Sequence, residues 1–170
     1  LQSRRQVGSL FKPIVYSTFF ELGGSPNSQI SDGRLQPGEI PGAKRWSPRN
    51  SDNRFTGMHP AGWGLLKSRN TMSVRVGARA GLQNVVNPAL MSGFTQPPRT
   101  LGPTIYLGTW EASPLEVAGA YTPFANGGVR PTPYIIQSIT DSAGRLIWHN
   151  PNTIRRIYTH KTANATSNIL

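Results

Sequence analysis

Ser9 and Lys12 stand three residues apart in the stretch RRQVGSLFKPIVY, residues 4 to 16. On a helix, side chains at i and i+3 share a face, so this hydroxyl and this amine can touch. If the pair opens a helix, free backbone N–H groups and the helix dipole favour negative charge on the serine oxygen and on a tetrahedral oxyanion. Burial would lower the lysine below its ordinary pKa of about 10.4 and leave a neutral amine able to take the serine proton. Nucleophilic catalysis needs those ingredients. The pair alone is a weak signal. A serine with a lysine at +3 arises about once by chance in a chain of ordinary composition, and its commoner meaning is an N-cap serine beside a solvated lysine.

The elements that must position this pair are legible in outline. Residues 9 to 22 read as a helix with Leu10, Ile14, Tyr16 and Phe20 on its apolar face, stopped by Gly23-Gly24. Pro13 is tolerable there, because so near a helix start it lacks only the N–H that would have met the Ser9 carbonyl. Residues 25 to 57 carry turn chemistry throughout and predict a long, mostly extended excursion with one short hairpin around Asp32-Gly33. Such a loop is more often functional or a cover than idle. Residues 59 to 82 predict a short helix, a break near Ser68, and a second helix from Asn70 to Ala80 ended by Gly81, with a further short helix over 84 to 92. Residues 104 to 108 are weak for a strand. Ser113, Pro114 and Glu116 form a capping box at the start of a helix that runs to Gly127-Gly128. Residues 133–140 and 144–149 alternate around a Ser-Ala-Gly turn and predict a hairpin, and the last eleven residues open another helix.

Composition narrows the chemistry. A length of 170 residues, 36% hydrophobic, suits one globular domain, and 18 Gly with 15 Pro fit many turns. No apolar run reaches the roughly 18 residues of a membrane span, and the polar opening LQSRRQ is no signal peptide. The absence of cysteine excludes disulfides, thiolate nucleophiles and Cys-based zinc sites. His59, His149 and His160 stand singly, without metal-ligand spacing, so neither a metal nor a cofactor is expected. The net charge of +11 is mostly arginine spread along the chain. No aromatic RNP pattern, zinc finger or basic helix accompanies it, so we read a solvated basic surface and no nucleic-acid partner. Lys67 reads as a solvated charge, Trp46, Trp63 and Trp110 as packing, and Asn126 as a helix-end residue.

Ser-x-x-Lys is known to work with a Ser-x-Asn and a Lys-Thr-Gly. Ser-x-Asn occurs three times, at Ser25, Ser51 and Ser68. Ser25 sits beside a proline in a turn-rich stretch, and Ser51 lies within the irregular excursion. Ser68 falls at a break between two helices, which suits a serine and an amide aimed into a cleft, so Ser68 and Asn70 are chosen.

With those residues in place, RRQVGSLFKPIVY resembles the motif that opens the transpeptidase domain of class A, bifunctional penicillin-binding proteins. WSPRN at 46–50, LLKSRNTMSVRVGARAGL at 65–82 and the block from Ser113 to Trp148 resemble that domain too, in the family's order. The resemblance implies an α+β fold, a five-stranded antiparallel sheet flanked by helices. Residues 1–170 would hold mainly its helical part, with long loops and one β-hairpin. It implies that Ser9 attacks a D-Ala-D-Ala stem peptide, that Lys12 takes the serine proton, and that Ser68 relays it to the leaving D-alanine. Asn70 would hold the substrate amide and Lys12, and the Ser9 N–H would be one oxyanion donor. Peptidoglycan stem peptides and β-lactam antibiotics would be the partners. The site would face the outside of the bacterial cytoplasmic membrane, on a parent anchored through upstream sequence. No Lys-Thr-Gly occurs, and Lys161-Thr162-Ala163 is a decoy. The resemblance therefore reads the chain as an internal fragment, lacking the strand that binds the substrate carboxylate and supplies the second oxyanion donor, and the isolated chain as inactive. The alternative is a catalytically silent module of the same fold, used for binding or assembly.

Overall fold

The computed structural model describes residues 3–170. Its centre is a helix enclosed on every side. A 3-10 turn, Gly8–Phe11, runs into α1, Lys12–Glu21, where eight of ten residues are buried. The spacing predicted a single apolar face. Instead Leu10 is half exposed, while Val15, Ser17 and Thr18 are buried along with Ile14 and Tyr16. A helix with partners all round needs no stripe. Its buried hydroxyls are satisfied: Thr18 donates to the Ile14 carbonyl at 2.8 Å, and Ser17 pairs with Thr166 at 2.7 Å. Pro13 sits in the first helical turn, and the backbone N–H of Lys12 bonds the Ser9 carbonyl. Gly23, at φ +98°, ends the run.

Around α1 pack α2 (Ala61–Leu66), α3 (Asn70–Ala80), α4 (Leu82–Met91), a 3-10 turn at Pro103–Leu107, and α6 (His160–Ser167). α5 (Pro114–Ala125) opens with the predicted capping box: Glu116 N–H donates to Ser113 Oγ at 3.3 Å, and Ser113 N–H donates to the Glu116 carboxylate at 2.7 Å. α6 is seated on α1 through Glu21, whose carboxylate accepts from the N–H and hydroxyl of Thr159. Lys161-Thr162-Ala163 lies in α6 and not on a strand.

Four antiparallel two-stranded ladders complete the described residues. The predicted hairpin is present but shorter, β6 (Ser138–Thr140) against β7 (Leu146–His149), with Asp141 closing the turn by accepting from the N–H groups of Ala143 and Arg145. The hairpin at Asp32-Gly33 is absent. β2 (Gln29–Ser31) pairs instead with β3 (Met58–Pro60), at the far end of the excursion. Within residues 32–57 turns and bends fall at 33, 37–42, 44–45 and 51–53, and the stretches between them belong to no helix or strand. The reason is Asp32 itself, which is fully buried and bonded to side chains, and so cannot serve as an exposed turn residue. β1 (Arg5–Gln6) pairs with β4 (Glu111–Ala112), and β5 (Val129–Pro131) with β8 (Ile154–Arg156). These two ladders join distant, very short segments that carry no alternation to read.

The acids are mostly spent internally: Asp32 and Asp52 on Arg69, Glu39 on Arg75, Glu116 on Arg4, Asp141 on Arg145, and Glu21 on the start of α6. The surplus of arginine is therefore left without acidic counterparts. Trp110 is fully buried, edge-on to Phe94 and stacked on Phe11, while Lys67 is exposed.

Candidate active site

Ser9 is carried on the 3-10 turn, where i and i+3 side chains eclipse, so Lys12 lies on the same side one turn later. Four contacts hold that turn. Val7 N–H bonds the Trp110 carbonyl and Gly8 N–H the Gly108 carbonyl, each at 3.0 Å. Tyr121 donates to the Leu10 carbonyl at 2.8 Å, and Phe11 is locked between Phe94 and Trp110. The Ser9 hydroxyl is exposed and has no hydrogen-bond partner among the described residues.

Lys12 is the reverse case: it is 1% exposed, yet all three protons of its ammonium have acceptors. Nζ donates to Ser68 O at 2.6 Å, Ser68 Oγ at 2.9 Å and Asn70 Oδ1 at 2.7 Å. Burial, helped by the positive charge of Arg69, lowers its pKa from 10.5 to about 8. Ser68 sits in the break between α2 and α3 at φ +52°, a left-handed conformation that costs a non-glycine residue of order 1 kcal/mol or more. That twist turns both its carbonyl and its hydroxyl toward Lys12. Asn70, the first residue of α3, has its amide fixed at both ends: Oδ1 accepts from Lys12, and Nδ2 donates to the Arg49 carbonyl at 2.7 Å.

The structure thus brings Lys12, Ser68 and Asn70 into one hydrogen-bonded cluster and carries Ser9 on the turn that leads into Lys12. Neither of the other two Ser-x-Asn sites, at Ser25 and Ser51, bonds to Lys12 among the described residues. The sequence reading passed over what stands behind the cluster. Asn50, the last residue of WSPRN, accepts the N–H of Asn70 at 2.8 Å and of Thr71 at 3.3 Å, and so caps α3, whose own N-cap residue, Arg69, supplies no side-chain cap. Asp32 accepts from Arg69, Thr71, Thr56 and Asn50. Burial alone would push its carboxyl up, but those hydrogen bonds outweigh it and hold it at about 2. Helical periodicity cannot signal such residues. The sequence traces were the WSPRN block, read only as part of the family resemblance, and the acidic residue of the Ser51 site, Asp52, which pairs with Arg69 at 2.8 Å.

Chemically, a buried amine with a lowered proton affinity is bonded to one hydroxyl, Ser68, and follows a second, exposed one, Ser9, by one turn on the same side. That arrangement can deprotonate one and hand the proton to the other.

Comparison with known proteins agrees on the family. The signature of the penicillin binding protein transpeptidase domain matches residues 1–170. Penicillin-binding protein 1A of Neisseria lactamica is 38% identical over 146 residues, 85% of this chain and 18% of that protein. Its counterpart in Pseudomonas aeruginosa is 34% identical over 152 residues, 89% of this chain and 18% of that protein. The chain thus spans about a fifth of the length of these relatives. Among solved structures, penicillin-binding protein 1A from Haemophilus influenzae superposes with a TM-score of 0.77 at 34% identity, over 90% of this chain and 23% of that one. Penicillin-binding protein A from Mycobacterium tuberculosis, solved as an imipenem acyl-enzyme complex, gives a TM-score of 0.82 over 98% of this chain and 43% of that one. At 21% identity it speaks for the fold alone. With the match running from end to end and the α+β fold shared, this chain belongs to the penicillin-binding protein transpeptidase domain family.

Proposed function

We propose that this chain carries the acylating centre of a serine D-Ala-D-Ala transpeptidase, with Ser9 as nucleophile. The single observation behind the reading is Lys12, a buried amine held by Ser68 and Asn70 beside an exposed serine on a helix-opening turn. With its pKa lowered to about 8, about a tenth of Lys12 is neutral at pH 7. Neutral Lys12 takes the Ser9 hydroxyl proton as Ser9 Oγ bonds the carbonyl carbon of the penultimate D-alanine, and the carbonyl π pair moves onto oxygen. The Ser9 N–H, at the start of the helix, is one donor to that oxyanion. As the oxyanion collapses, the C–N bond to the terminal D-alanine breaks. The proton on Lys12 passes through Ser68 Oγ to the departing amine. Asn70 holds Lys12 and the substrate amide. An amine of a neighbouring stem peptide then attacks the ester, forms the cross-link and returns the proton to Ser9. A β-lactam acylates the same serine, its ring amide standing where the scissile bond would.

The substrates would be peptidoglycan stem peptides, met at the extracytoplasmic face of the bacterial cytoplasmic membrane by a parent protein anchored elsewhere in its sequence. These 170 residues contain no Lys-Thr-Gly, and we read the isolated chain as poorly reactive for want of a second oxyanion donor. The test is fluorescent penicillin labelling of the full-length parent, with the adduct located by peptide mass. Labelling should map to Ser9, vanish in Ser9→Ala, and slow by about a hundredfold or more in Lys12→Ala. A properly folded parent that takes no label, or takes it on another residue, would end the reading.

A further inference from the structure

Arg69 lies between the two residues that hold Lys12, yet its own side chain bonds a different set of groups. Ser68 O, Ser68 Oγ and Asn70 Oδ1 face the amine. The Arg69 guanidinium meets the fully buried Asp32 through Nε at 3.0 and 3.1 Å and Nη2 at 2.7 Å, Asp52 through Nη1 at 2.8 Å, and the Arg54 carbonyl at 2.6 Å. Asp32 is in turn fixed by Thr71, Thr56 and Asn50, and Asn50 caps the start of α3. A forked guanidinium with four of its five N–H groups bonded is a rigid anchor, and the left-handed Ser68 immediately before it needs one.

We propose that Arg69, gripped by Asp32, is a positioning residue for Lys12: it fixes the backbone whose two flanking residues hold the amine, and it sets a positive charge against that amine. The proposal rests on the acylating role of Ser9 and Lys12. The charged and titratable groups around Lys12 come from three directions. Arg69 faces it from the α2–α3 break. Asp32, Asp52 and Arg54 lie behind Arg69 in the 25–57 excursion. Tyr16 comes from α1 itself, and burial pushes its hydroxyl far above the usual range, so it stays neutral. Arg69 therefore favours neutral Lys12, and a carboxylate paired with it, as Asp52 is at 2.8 Å, offsets part of its positive charge.

The test is the pH profile of penicillin acylation in the full-length parent. Acylation should rise with pH along a limb set by Lys12. In Arg69→Gln the limb should move up by at least about half a pH unit, so that acylation at pH 7 falls about threefold beyond any loss at the high-pH plateau. Arg69→Lys keeps the charge but not the fork, and should leave the limb in place while lowering the plateau. Asp52→Asn should move the limb down and quicken acylation at pH 7 roughly twofold. A merely structural role predicts lower plateaus with no limb moved. If Arg69→Gln leaves Asp32 unpaired and does not fold, Asp52→Asn still decides, because that carboxylate is 44% exposed and dispensable to the core. Unmoved limbs in the folded variants of a wild type labelled at Ser9 overturn the positioning role and leave the acylating reading standing. A wild type that is never labelled at Ser9 removes both.

Discussion

Replacing Lys12 by methionine tests the buried amine without reference to any substrate. Lys12 is 1% exposed, and its pKa falls from 10.5 in the open chain to about 8 in the fold. Between those values the unfolded chain binds more protons than the folded one, so the contribution of Lys12 to stability rises with pH. Below about pH 8 both states are protonated, and the fold carries the full penalty of an enclosed ammonium. Above 10.5 neither state is protonated, and the penalty is gone. The slope is about 1.4 kcal/mol per pH unit inside that window and half that at its lower edge, so wild type should gain roughly 1.6 kcal/mol over Lys12→Met between pH 8 and 9.5. Methionine fills most of the same space and titrates nowhere, so other groups cancel in the difference. It leaves Ser68 and Asn70 short of a donor, which lowers stability by a pH-independent amount and does not alter the slope. Urea unfolding of the full-length parent and of Lys12→Met at half-unit steps of pH measures the slope directly. A difference that stays flat from pH 8 to 9.5 would refute a lowered Lys12 pKa, and a difference that falls with pH would reverse its sign.

Two further outcomes are expected. Gly108 has φ +81°, and a Cβ there would collide with the Gly8 backbone, so Gly108→Ala should displace the Ser9 turn. A loss of about 2 kcal/mol or more in unfolding measurements, with slowed penicillin labelling, is expected, and wild-type values for both would contradict the packing described. The isolated 170-residue chain exposes Ile135, Ile147 and Ile154 at 101%, 65% and 67%. It should aggregate at micromolar concentration and become more soluble in Ile135→Ser/Ile147→Thr, which light scattering would detect. A monodisperse, cooperatively melting wild-type chain would contradict that.

The local reading succeeded where one stretch of chain carries its own instructions. The capping box at Ser113, the helix of Asn70–Ala80 with Gly81 behind it, and the break at Ser68 all follow from neighbours a few residues apart. It failed where the deciding partner lies far along the chain. Asp32-Gly33 has turn chemistry, but Arg69, 37 residues away, claims the carboxylate and buries it. The apolar stripe assigned to α1 failed for the same reason, since a helix at the centre of several others has no solvent side.

Residue type and spacing by themselves determined that Ser9 and Lys12 share a helical turn, because the 3-10 and α periods both bring residues three apart to one side. The order of the blocks from Ser9 to Trp148 was enough to point to the family. Only the tertiary structure decided which of three Ser-x-Asn sites meets Lys12 and how far its proton affinity falls. Both depend on burial and on charges held by chain that is remote in sequence, and desolvation has no signature in the order of residues.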